Sequence, residues 1–307
     1  MHRLSTAVLI GFLVSLGPAA QTPQTPAPPT APAGLDVVAI DRAIGRSGAI
    51  LGDVYKVSFP RTDLTVKVGD VTVKPGLALV SWAAFKSAGA AASIVHGDLV
   101  LLDSELNPVI SGLQQHDFQI TAVHNHLIGE TPRVMYAHYW GRGNAVTLAE
   151  GLKDALSHSK TPIATAAAPA AASTAREDLP VEEIRKAIGL KGSVSNGVLS
   201  ISQPRPETIQ MMGVTLPPTM GMGTAINFQS AGAGKVAATG DFVMIADEVN
   251  KVARALRQND IGITALHNHM LHGSPDLYFM HFWAVGDAGK IGAGLKAALA
   301  GIRKQQL

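Results

Sequence analysis

The chain contains no cysteine. Disulfides, thiolate metal ligation and a cysteine nucleophile are therefore excluded, as is the lipidation that anchors a bacterial lipoprotein. Aromatic residues make up only 5%, which argues against a base-stacking surface. Charge is nearly balanced, at +2 with no basic run, so nucleic acid is not expected as a partner: phosphate binding needs clustered Lys and Arg. Beyond the N-terminus no stretch approaches the roughly 18 apolar residues of a membrane span, and no stable span is expected in the mature chain. Neither a Gly-x-Ser-x-Gly nucleophile motif nor a phosphate loop occurs.

Apolar residues are plentiful. Of 307 residues, 47% are hydrophobic, enough for two ordinary domains with cores. Residues 1–20 read as a signal peptide: His2 and Arg3, then a mostly apolar run over 4–16, then Ala19 and Ala20. Its expected destination is the periplasm or the exterior. A Pro/Thr/Ala-rich tether follows over 21–34, and an Ala/Pro-rich linker over 159–178. These leave two domains, 35–158 and 179–307.

The two are copies. His124-Asn125-His126, then His138, returns as His267-Asn268-His269, then His281, and 267 − 124 and 281 − 138 both equal 143. Positions 105–143 and 248–286 share 16 identities in 39 without a gap. Earlier segments align at 144, as Pro60-Arg61 does with Pro204-Arg205. One residue is thus missing from the second copy, and comparing Gly69-Asp70 with Gly213 puts the loss at a hairpin turn.

Within a copy the pattern predicts a helix with Val37, Ile40 and Ile44 on one face. Strands follow over 53–59 and 77–85, with a hairpin over 64–73 between them. Residues 92–102 read as two strands broken by a Gly97-Asp98 turn, matched by Gly240-Asp241. A helix over 105–115 is expected with Ser104 as its cap, and 248–258 with Asp247. Residues 118–127 and 134–140 read as strands, and Asn144 and Asp287 as caps of closing helices. The fold class is α+β: two tandem homologous domains, each an antiparallel sheet packed with helices, free to pair about a pseudo-twofold axis.

Residues i and i+2 of a strand share a face. His124 and His126 therefore stand side by side, and a returning strand brings His138 alongside, flanked by Tyr136 and Trp140. Three such imidazoles suit a metal, zinc first. His267, His269 and His281 would form a second site. Copper is the alternative, favoured only if Met135, Met270 and Met280 face inward; otherwise these fill the core. Hydrogen-bonded structural histidines and metal-free acid–base use are the competing accounts. A hydrolytic site also needs an acid–base group. Glu105 and Glu248 are the candidates, although a helix dipole alone accounts for a carboxylate there; Asp98 with Asp241 and Asp117 with Asp260 also recur, and read as turn residues. Residues that differ between copies would mark a single active half: Glu130 against Gly273, Arg133 against Asp276, Gly129 against His272, His116 against Asn259 and His96 against Thr239.

Gly97-Asp98, Glu105, Asn107, Thr121-Ala122, His124-Asn125-His126, Pro132, His138, Trp140 and Gly143, with the same types 143 residues on, resemble the LppY/LpqO family of bacterial envelope proteins. The resemblance spans both repeats. It implies an envelope location and these domain boundaries and supplies no activity; the missing lipidation cysteine departs from it. The leading expectation is a metal-dependent enzyme, with hydrolysis as the first reaction class to test, a small molecule or ion as its ligand and no substrate readable from the sequence. A non-catalytic periplasmic carrier of a metal or small ligand is the alternative, and an envelope module whose histidines join the halves is a third.

Overall fold

The computed structural model describes residues 30–89, 92–164 and 178–302. The expected signal peptide lies outside these residues, as do most of the tether and most of the linker. Among the described residues no helix is long and apolar enough to cross a membrane.

The first copy runs α1 (Val37–Ile44), β1 (Ala49–Leu51), β2 (Val54–Pro60), β3 (Lys67–Val68), β4 (Val71–Thr72), α2 (Pro75–Ala78), β5 (Val80–Ser87), β6 (Ser93–Leu102), α3 (Asp103–Gln115), β7 (Gln119–His124), β8 (Glu130–Thr131), β9 (Val134–Gly143) and α4 (Ala145–Leu156). The second repeats it as α5 (Val181–Ile188), β10 (Ser193–Ser195), β11 (Val198–Pro204), β12 (Ile209–Met211), β13 (Val214–Leu216), a 3₁₀ turn (Pro218–Met220) in place of α2, β14 (Gly223–Gly232), β15 (Lys235–Met244), α6 (Ala246–Gln258), β16 (Gly262–His267), β17 (Gly273–Ser274), β18 (Tyr278–Gly286) and α7 (Ala288–Leu299). Each copy builds a six-stranded antiparallel sheet, in the order β1-β2-β5-β6-β9-β7 and β10-β11-β14-β15-β18-β16. Each hairpin makes a small sheet with the strand just before β9 or β18, giving β4-β3-β8 and β13-β12-β17.

One face of each large sheet carries its own helices. Ile40, Val109, Leu113 and Leu152 pack on Val57, Val95, Leu99 and Tyr139, and the second copy builds the equivalent core. The opposite faces meet each other. Val54, Ala84, Ile94 and Trp140 of the first sheet share a core with Ile209, Met211, Met220 and Phe279 of the second copy. Reciprocally, Val66, Val71 and Leu77 pack with Val198 and Ala237. The expected pairing of halves is thus realised as one compact unit, with each hairpin covering the sheet of the other copy.

Several local expectations need correction. Residues 93–102 form one unbroken strand, because Gly97-Asp98 is not a turn. Gly97 and Gly240 are glycines because a Cβ would overlap the backbone of Trp82 and of Ala225 respectively. Leu77 lies in α2, and the strand begins only at Val80. Ser104 and Asp247 sit inside their helices. The caps are Leu102 and Ile245, whose backbone N–H groups donate to Glu105 and Glu248 at 2.9 and 3.0 Å. Asn144 does cap α4, accepting from the N–H groups of Val146 and Thr147, and Asp287 caps α7. Both hairpin turns hold two residues, since Val68 pairs with Val71 and Met211 with Val214. The missing residue therefore lies before the hairpin. Arg61 and Arg205 both bind an acid two residues on, Asp63 and Glu207, whereas Lys67 already pairs with Thr131 as Gln210 does with Ser274.

Candidate metal centre

The inward face of the first sheet is set by period-2 alternation. On β6, Val95, Leu99 and Leu101 go to the helices, leaving Ile94, His96, Asp98 and Val100 for the other half. Asp98 lies opposite His138 on β9, and Asp241 opposite His281 on β18. On β7 the register passes from Ile120–Tyr139 to Ala122–His138, so Thr121 is an extra residue. This bulge lets Ile120 face the helices while Ala122 and His124 face inward. Thr264 repeats it on β16. Such bulges re-aim side chains, and strict alternation over 118–127 missed this one. The strand also ends at His124, so His126 stands on the connecting segment.

The two expected triplets do assemble, but as one cluster. His124 stacks on His267 at 3.7 Å between ring centroids, His126 on His281 at 3.8 Å and His138 on His269 at 3.7 Å. Each pair takes one ring from each copy. The pseudo-twofold relation exchanges His124 with His267 and exchanges the other two pairs. Ligand-capable atoms lie within 4.8 Å of one another in three overlapping groups: His124, His126 and His138; His124, His267, His269 and His281; and His126, Asp241 and His281. Side-chain bonds to backbone carbonyls tie the copies here. Asn125 Nδ2 donates to Thr264 O at 3.1 Å, and Thr264 Oγ1 donates to His126 O at 2.6 Å.

All six Nε2 atoms are buried without a hydrogen-bond partner. Nδ1 of His124, His267 and His281 lies 3.3, 3.2 and 3.2 Å from a backbone carbonyl oxygen. A proton on Nδ1 satisfies that contact and leaves the Nε2 lone pair free, the tautomer a metal needs. Burial, and then mutual repulsion within the cluster, lowers the pKa of His124 to about 2 and that of His267 to about 4. The same causes hold His126, His138 and His269 well below the ordinary range. These five rings are thus neutral at neutral pH.

Two carboxylates adjoin them. Asp98 Oδ1 lies 3.7 Å from His138 Nε2, its Oδ2 lies 4.0 Å from His126 Nε2, and Asp241 contacts His281 Nδ1. Burial, reinforced by Asp241, raises the Asp98 pKa well above its ordinary value. The turn reading of Gly-Asp concealed these residues. The signal for them was Asp98 and Asp241 recurring at the offset of the histidines.

Glu105 and Glu248, the expected acid–base groups, are placed elsewhere. Arg61 grips Glu105 with two bonds of 2.9 and 3.2 Å, and the N–H groups of Leu102 and Lys160 complete its partners. Arg205 holds Glu248 likewise at 2.7 and 3.3 Å. Neither glutamate belongs to a histidine group. Of the residues that differ between copies, only His96 reaches the cluster, 5.9 Å from His138 between ring centroids. Glu130 accepts from Val134 N, Arg133 is exposed beside Asp103, and His116 pairs with Asp154 at the surface. Met280 packs on the helix side and Met270 in the shared core, so neither supports copper.

The model of a family described as Domain of Unknown Function (DUF1259) matches the chain twice, over residues 38–158 and 182–301. No curated protein matches. Among solved structures, a trimeric bacterial microcompartment shell protein, PduB, is 10% identical, with 83% of this chain and 89% of that chain covered and a TM-score of 0.20. EtuB from Clostridium kluyveri is 9% identical, with 83% and 88% covered and a TM-score of 0.19. Scores this low carry no argument about the fold.

Proposed function

The chain belongs to this family of domains twice over, and we propose that its two copies together build one composite metal centre that serves a metal-dependent hydrolase. The supporting observation is that all six Nε2 atoms are buried without a hydrogen-bond partner and that the six rings fall into overlapping groups of ligand-capable atoms. Buried polar atoms are ordinarily satisfied, and three overlapping groups of ligand-capable atoms, the largest of four histidines, offer a divalent ion a place. An all-imidazole set with adjacent carboxylates suits zinc first. The ion would supply Lewis acidity. Asp98, buried beside His126 and His138, replaces Glu105 as the group that would hold or move a proton. The signal-like N-terminus and the LppY/LpqO resemblance support a periplasmic or secreted setting.

The test is elemental analysis of untagged protein beside His124→Ala, His267→Ala and the double variant. A composite centre loses metal cooperatively from either single substitution. Two independent sites would each lose half. No metal in the native protein, even after reconstitution with zinc, would overturn the reading. Metal without hydrolysis of an activated ester such as 4-nitrophenyl acetate would favour the carrier alternative.

A further inference from the structure

The centre is pseudo-symmetric, but its surroundings are not. In the first copy Lys56, Trp82 and His96 stand in a row on the inward face. Lys56 Nζ lies 4.0 Å from the Trp82 ring centroid, and Trp82 and His96 meet edge to face at 5.6 Å. The 3₁₀ turn of the second copy closes over them, with Lys56 Nζ donating to Thr219 O at 3.2 Å and Gly221 against the indole. At the equivalent positions the second copy has Ser200, Ala225 and Thr239. There the covering element is α2, and a cavity of about 150 Å³ remains. Its walls include Ala225 and Thr239, and it reaches His126, Asp98 and Asp241.

Resting on the composite-centre reading, we propose that this cavity is the ligand entrance of the centre, and that it takes a small uncharged polar molecule with a nitrogen or oxygen donor. The volume corresponds to about five waters at ~30 Å³ each. His126 Nε2 and Asp98 Oδ1 are buried and unpartnered beside it. Asp98 and Asp241 border the cavity and no Lys or Arg lines its walls, so an anion entering it would meet carboxyl oxygens and no cation of the chain. On the first copy's sheet the equivalent positions are filled by Lys56, Trp82 and His96, and the Trp82 ring also borders the cavity. Ligand exchange would therefore run through this cavity although the histidines are duplicated.

The experiment uses the full chain loaded with cobalt(II), with visible absorption followed during titration with imidazole and, separately, with inorganic phosphate. Ala225→Trp and Thr239→His rebuild the plug of the first copy on the open side. The expected result is a saturable imidazole response in the native protein, a much weaker phosphate response, and imidazole binding weakened at least tenfold in either variant with cobalt content unchanged. Having two variants covers failure of one to fold. Native-like imidazole titration in the folded variants would overturn the proposal, as would full cobalt loading with no imidazole response. An equal response to phosphate would overturn the ligand class. If the native chain takes up no cobalt, the composite-centre reading itself fails, a result distinct from these.

Discussion

This protein buries two kinds of polar cluster, an arginine–glutamate cluster in each copy and a histidine cluster shared by both, and they are finished differently. Around Arg61, every polar group of Glu105 meets a donor, and Asp63 takes the remaining guanidinium edge. Arg205, Glu248 and Glu207 repeat this. Around the histidines, the equally buried Nε2 atoms have no hydrogen-bond partner. The first cluster is complete within the chain and pins a helix start to a strand end. The second leaves its Nε2 atoms without a hydrogen-bond partner. Duplication preserved both, so recurrence of a polar motif does not by itself separate structure from function; satisfaction of its atoms does.

Breaking the finished cluster should have the largest effect. Arg61→Ala leaves Glu105 buried without its charge partner, and loss of one member of a buried pair costs about 3–5 kcal/mol. Denaturant unfolding should show that loss, with metal content per folded chain unchanged. An effect below about 1 kcal/mol would show that water reaches Glu105 and that the pair is no anchor.

Completing the unfinished cluster should come next. Zinc at 100 times its dissociation constant should stabilise the native chain by about 2.7 kcal/mol, visible as a rise in melting temperature. The His124→Ala, His267→Ala protein should show no rise. An equal rise in that variant would mean that the ion binds elsewhere.

The pH dependence of the metal-free protein sharpens the contrast further. The folded pKa values of His96, His124, His126, His138, His267 and His269 are all lowered from 6.5. Below 6.5 the unfolded chain takes up protons that the folded chain refuses. Their contribution is therefore whole above pH 6.5 and is lost as pH falls toward about 4, the value for His96 and His267. Asp98, raised above 3.8, acts oppositely: its contribution is present below 3.8 and fades as pH rises. Six groups outweigh one, so calorimetry should show the melting temperature falling between pH 6.5 and pH 4. A flat profile would mean that the rings are solvated.

The duplication, the sheet-and-helix class and the histidine triplets were all legible in the sequence, because periodicity and offset are local properties of a string. The interleaving of the triplets was not, since it depends on which faces meet across the junction. Thr121 and Thr264 illustrate the local limit: a bulge shifts the side-chain face by one residue, and nothing in the letters marks it. Asp98 illustrates another. Gly-Asp is a frequent turn pair, yet Gly97 serves close backbone approach and Asp98 faces the histidines. Glu105 stood out because it recurs, and only its bonds to Arg61 show what it does.

The smallest predicted change is the most discriminating. In metal-free protein, His124→Ala removes a ring whose Nε2 is buried and unpaired. Leaving such an atom unsatisfied costs roughly 1–3 kcal/mol, and removing it recovers that amount. Truncation also removes the ring's packing against His267, at 3.7 Å, and opens space, a loss of similar size for a buried side chain of this volume, about 2–3 kcal/mol. The two offset each other, so the denaturation midpoint of the metal-free chain should move by less than about 1 kcal/mol, against several for Arg61→Ala. A loss of 3 kcal/mol or more would mean that the histidines hold the halves together by their own contacts. That outcome would favour the structural account of the cluster over the metal centre.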